Sequence, residues 1–189
     1  VASRKNKSKI TVLQRRELSD KIIDIASAKF PDESNILHDG YLICATAKAY
    51  TLVDEKSSAW EDLISRANNI PNVADKAYVL IEILKCLPKK YTSIQKTLVE
   101  QAENASEIIP SLKDKLGRFE LFSLACKDLN LNAAKNILKK SLTMSLQLEN
   151  MEDAAEIQKS LIDVADQIEP GYADILLELF DDDPARAFA

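Results

Sequence analysis

The chain has 189 residues, 46% apolar and 29% charged, with three glycines, one histidine, three cysteines and a formal charge of −5. It is long enough for one domain or one repeat array, and too poor in glycine for a fold rich in turns. The single histidine excludes an HExxH zinc site or a di-iron bundle with two Glu-x-x-His pairs, the odd cysteine count argues against a disulfide framework, and no apolar run reaches membrane-spanning length.

Residues 1–16 read as a basic N-terminal arm or linker, holding Arg4, Lys5, Lys7, Lys9, Arg15 and Arg16 and no acid. With +6 here and −5 overall, the rest of the chain carries −11. No aromatic residue interleaves these cations, so there is no platform for base stacking, and the acidic body disfavours a broad phosphate-binding face. Nucleic acid is therefore an unlikely partner, and a solvated tail is the simpler role. Ile10-Thr11-Val12 is the best strand candidate and is too short to stand alone.

The second region, 17–189, reads as helical throughout. Leu18, Ile22, Ile25 and Ala26 form a first apolar stripe. Beyond Pro31 and His38 comes DGYLICATAKAYTLVD from Asp39, the first of four related phrases. A helix follows on Trp60, Leu63, Ile64 and Ala67, then Pro71 and the second phrase, DKAYVLIEILKCLPK, from Asp75. After Pro88, Ile94, Leu98, Ala102 and Ala105 mark another helix, and Pro110 leads to DKLGRFELFSLACKDL from Asp114. Ala134, Ile137, Leu138 and Leu142 come next, followed by DAAEIQKSLIDVADQI from Asp153 and then Pro170. Proline belongs at helix ends, so its positions agree with this segmentation. The triplet Asp181-Asp182-Asp183 lacks the alternating spacing and glycine of a calcium loop and reads as a polar turn. Asp183 and Pro184 resemble an N-cap and first helical residue, cut short by the end of the chain, which suggests a segment of a longer protein.

The phrases start 36, 39 and 39 residues apart. Counted from each aspartate, position +8 holds Ala47, Ile83, Phe122 and Leu161, and position +11 holds Tyr50, Cys86, Ala125 and Val164. Position +4 holds Ile43, Val79 and Ile157, with Arg118 the exception. Offsets of four, eight and eleven share one helix face, so each phrase has one buried stripe. The aspartate suits the start of the helix, where a carboxylate meets unpaired N–H groups and the positive dipole end. A repeat of this length predicts an all-α, right-handed α-solenoid of antiparallel helical hairpins, 36–39 residues each.

Chemistry-bearing residues are sparse. Cys44, Cys86 and Cys126 lie inside the stripes and read as small core hydrophobes in a reducing compartment, which places the chain in the cytoplasm. A catalytic triad would have to use His38, yet there is no nucleophile elbow and no glycine-rich phosphate loop. No catalytic residue, cofactor or metal is assigned, and the chain reads as no enzyme.

Ala59, Leu63 and Pro71 match, in order and spacing, the alanine, large apolar and proline positions of the tetratricopeptide family, and Leu80 fits the leucine position of the helix after them. Arg66 and Ile81 stand where that family has small residues. The chain thus resembles a divergent tetratricopeptide-like array. The resemblance implies a groove lined by the first helix of each pair, taking a peptide, helix or folded partner. It also implies a scaffold or the sensor region of a larger bacterial nucleotide-switch (STAND-type) protein.

On that basis the partner-binding candidates lie beside the buried stripe on the phrase helices: Thr46, Lys48, Glu82, Lys85, Glu120, Ser123, Lys127, Lys159 and Asp163. Tyr41 and Tyr78 are the candidate aromatic anchors. The partner would be another protein, with no membrane involved. A small helical enzyme or a small-molecule-binding domain with a bundle pocket is the competing possibility, and a self-associating module a weaker third.

Overall fold

The computed structural model describes residues 11–29, 36–53 and 55–181, and side chains over 11–25, 39–53 and 55–178. Nine helices occur among the described residues, and no strand: α1 (Val12–Lys29), α2 (Ile36–Val53), α3 (Ser57–Asn68), α4 (Val73–Cys86), α5 (Thr92–Glu107), α6 (Leu112–Cys126), α7 (Leu131–Ser145), α8 (Met151–Ile168) and α9 (Tyr172–Asp181). None is long and apolar enough to cross a membrane. Most of the basic arm, residues 1–10, together with Pro31, Asp182, Asp183 and Pro184, lies outside the described residues.

The helix starts are written three residues ahead of the aspartates. Asn72 Oδ1 accepts from Ala74 N and Asp75 N at 2.9 and 3.1 Å, and Ser111 Oγ accepts from Asp114 N at 3.3 Å. Asn150 Oδ1 accepts from Glu152 N and Asp153 N at 2.9 and 3.3 Å. Asp75, Asp114 and Asp153 are each the third residue of their helix, held by a side-chain cap and facing the positive dipole end. The first phrase differs: α2 begins at Ile36, ahead of Asp39. Thr11 and Gln14 form a reciprocal capping box, with Thr11 N donating to Gln14 Oε1 at 2.9 Å and Gln14 N to Thr11 Oγ1 at 3.2 Å. This box starts α1 at Val12, so that no strand forms there among the described residues and Arg15 and Arg16 lie in the helix.

The helices stack in two rows. α2, α4, α6 and α8 form one row in which each touches the next, and α3, α5, α7 and α9 lie against it. In the first row α6 and α8 run parallel and in step: Lys113 reaches Asp153 near the helix starts at 2.6 Å, and Lys127 reaches Gln167 O near their ends at 3.4 Å. In the second row only α3 and α5 make more than sparse contact. A stack with one tight row and one splayed row curves toward the tight one.

The core runs along the seam between rows. Ala47, Ile83, Phe122 and Leu161, the +8 residues, are all fully buried. So are the predicted stripes of α3, α5 and α7, from Trp60 through Leu142. Each large side chain taken fully out of water here contributes about 2 kcal/mol. At the +4 exception, Arg118 sends its stem across α4. Polar links join residues about one repeat apart on the second row as they do on the first. Tyr91 Oη donates to Glu55 O at 2.6 Å across 36 residues, and Tyr172 Oη donates to Lys135 O at 3.3 Å across 37. Each layer is thus fastened to the next by side chains as well as by packing.

α1 departs from the expected stripe. Leu18 and Ile25 are exposed, at 44% and 68%, while Ser19 is buried. α1 packs along α2 and makes no comparable contact with any other described helix. Among the described residues its apolar stripe therefore lacks the second neighbour that covers the stripes of α3, α5 and α7.

Candidate partner-binding face

The outer surface of the tight row is built from one exposed stripe per helix. On α4, Val79, Leu80, Ile81, Ile83 and Leu84 are all buried, which leaves Tyr78, Glu82 and Lys85 at spacings of four and three to define the open side. On α2 the corresponding stripe carries Tyr41 and Lys48. Tyr41 is 58% exposed and Tyr78 40%, so both rings are presented to solvent, and Tyr41 is near enough to act on the Tyr78 hydroxyl.

Glu82 is the electrostatic centre of this patch. Lys85 Nζ donates to it at 2.7 Å along the same helix, and Lys48 Nζ of α2 lies 3.9 Å away. Arg118 approaches from α6, with its guanidinium 5.3 Å from the Tyr78 ring centre and its Nε donating to Ala74 O at 3.1 Å. Burial pushes the Tyr78 hydroxyl above its ordinary range; Glu82, Cys44 and Tyr41 add to the rise and Arg118 opposes it. Three helices thus converge on two tyrosines, two lysines, one arginine and one carboxylate.

Lys48, Glu82 and Lys85, predicted from the sequence, are brought together here. Glu120 is half-buried on α6, and Lys127 at its end is tied to Gln167 O of α8. Lys159 and Asp163 are exposed on α8, farther along the row. Thr46 and Ser123 do not reach the open face. Both are buried, and each hydroxyl bonds to a carbonyl of its own helix: Thr46 Oγ1 to Leu42 O and Ser123 Oγ to Glu120 O, both at 2.7 Å. That local bond lets a small hydroxyl residue sit inside the core.

Arg118 was missed as a site residue. Its signal was present as the charge that interrupts the apolar +4 position. The thiols are poorly placed for chemistry: burial pushes Cys44 and Cys126 up to about 12, and Glu82 and Cys86 add to the rise at Cys44. Cys86 is half-buried and is also pushed up by burial, then by Glu82. Among the described residues no group of three or more His, Cys, Asp or Glu side chains is arranged to hold a metal ion.

A groove of about 420 Å³ opens on the opposite row, between α3 and α5, lined in part by Glu61, Ile64, Asn68, Thr97 and Gln101. It lies between the two helices of that row that do touch. No protein-family profile, no curated protein and no solved structure matches this chain.

Proposed function

We propose that this chain is a protein-interaction module, a divergent tetratricopeptide-like array that serves as the scaffold or sensor region of a larger, cytoplasmic nucleotide-switch protein and has no catalysis of its own. The observation that carries the interaction role is the pair of exposed tyrosines, Tyr41 and Tyr78, framed by Arg118, Lys48 and Lys85 on the tight row. Tyrosine and arginine are enriched among the side chains that anchor protein interfaces; tyrosine offers a large contact area and a polar tip at little entropic cost, and Arg118 is already held in place by Ala74 O. Parallel helices in step also hold these groups at fixed separations, which suits recognition of a partner in one register.

The experiment places a photo-crosslinking phenylalanine analogue at Tyr78 and, as a control on the other row, at exposed Asn136. Expressed in the native host, the Tyr78 position is expected to give one dominant protein adduct, lost when Lys85 and Lys127 are reversed to glutamate. Equal adducts from both positions, or none from Tyr78, would refute the assignment.

A further inference from the structure

The groove between α3 and α5 has a composition that selects its occupant. Its floor is apolar, made by Ile64, Ile94 and Leu98, which are buried to 8%, 9% and 0% exposure. Its walls carry neutral polar groups, Ser65 and Thr97 midway and Asn68 and Gln101 at one end. Glu61 at the other end is the one charge in the lining.

Asn68 and Gln101 are bridged: Asn68 Nδ2 donates to Gln101 Oε1 at 3.1 Å. The bond spends one end of each amide. Asn68 Oδ1 remains as an acceptor and Gln101 Nε2 as a donor, a pair of the kinds that the N–H and C=O of a peptide unit require. An extended chain offers such groups at every residue, whereas a helix offers them only at its ends. From Glu61 to Asn69 the wall spans about 12 Å at 1.5 Å per residue, the length of roughly four extended residues. An anionic ligand meets Glu61 and no cation. A sugar or nucleobase finds no aromatic ring among the lining residues on which to stack.

We propose that this groove is a second binding site, which takes a short extended peptide with a lysine or arginine at the Glu61 end, a small apolar side chain on the Ile64–Ile94–Leu98 floor and a main-chain unit on the Asn68–Gln101 pair. It lies on the row opposite the tyrosine patch and is independent of the function proposed for that patch.

The probe is an array of random hexapeptides, acetylated and amidated at their ends, incubated with the full chain, with hits quantified by fluorescence polarisation. Hits are expected to contain lysine or arginine and to lack acidic residues. Glu61→Lys is expected to weaken them by about tenfold or more and to turn selection toward acidic peptides, since a like charge replaces an attractive one. Asn68→Leu combined with Gln101→Leu weakens all hits by a similar factor and leaves the basic preference intact. Tyr78→Ala changes neither. An array blank for the folded wild-type chain overturns the proposal. So do hits indifferent to Glu61→Lys, or hits lost with Tyr78→Ala. Glu61 is exposed, so its variant folds and keeps the test decisive should the amide double variant fail to fold.

Discussion

The Arg118 guanidinium lies 5.3 Å from the centre of the Tyr78 ring while its Nε donates to Ala74 O at 3.1 Å. One side chain from α6 therefore fastens the main chain of α4 and covers one side of its exposed aromatic ring. The residue that breaks the apolar +4 position serves as a clamp between neighbouring layers of the stack.

Arg118→Ala is expected to lower the unfolding free energy by about 1–2 kcal/mol, from a lost charge-assisted bond and a partly exposed cation–π contact. Arg118→Lys restores part of the ring contact but not the bond, because a lysine lacks the planar Nε donor. Urea titrations of the three proteins check the order wild type, lysine variant, alanine variant. If alanine and lysine are equally stable, the ring contact contributes nothing.

The caps give a second prediction. Asn72→Ala and Asn150→Ala each strip two N–H groups of their partner and are expected to cost about 1 kcal/mol apiece. Asp75→Ala removes only a charge near the dipole end and costs about half that. Denaturant midpoints measured for all three place the start signal on the asparagines. Equal losses at Asp75 and Asn72 would return it to the aspartate.

Much of this architecture was legible because a stack repeats its packing. Ala47, Ile83, Phe122 and Leu161 share one offset and one degree of burial, as translation from layer to layer demands. Periodicity fails where a neighbour is missing. Leu18 and Ile25 carry the right spacing, yet α1 packs along α2 and not along a second covering helix. Apolar spacing shows which side of a helix can be covered and is silent on whether anything covers it. The candidate face was half legible for a related reason. Lys48, Glu82 and Lys85 converge because their register was right. Thr46 and Ser123 turn inward because a hydroxyl that bonds its own helix gives no polar signal at the surface. The Asn68–Gln101 bridge left no pattern beyond two amides 33 residues apart.

The thiols set an alkaline limit. Cys44 and Cys126 rise from 9.0 to about 12 on folding, so the folded chain holds their protons over a range where the unfolded chain releases them. Their contribution to stability is complete below pH 9 and is lost as pH climbs from 9 toward about 12. The urea midpoint should be flat from about pH 7 to 8 and fall above 9, where the thiols titrate ahead of Tyr50, Tyr78 and Tyr172, whose hydroxyls start at 10.0 and are raised first by burial. Cys44→Ala with Cys126→Ala should flatten the first part of that decline. An undiminished slope between pH 9 and 10 in the double variant would assign it to other groups.

The three glycines separate conformational need from mere tolerance. Gly171 has φ +82°, in the left-handed region between α8 and α9, where a Cβ is strained whatever the space around it. Gly171→Ala should therefore cost about 1 kcal/mol. Gly117 lies inside α6 with nothing within 4 Å of where a Cβ would stand and no unusual φ. Helix interiors disfavour glycine by about 1 kcal/mol relative to alanine, so Gly117→Ala should stabilise the chain by about that amount. Gly40 falls between them, since its Cβ would meet Val79 Cγ2 at 3.4 Å, an ordinary contact. Gly40→Ala is expected to gain less than Gly117→Ala, because part of the helix-propensity gain goes into settling against α4. Thermal unfolding of the three single variants tests the order Gly117→Ala above Gly40→Ala above Gly171→Ala. If Gly117→Ala instead destabilises, the open space beside α6 is occupied in solution by something that a methyl group displaces.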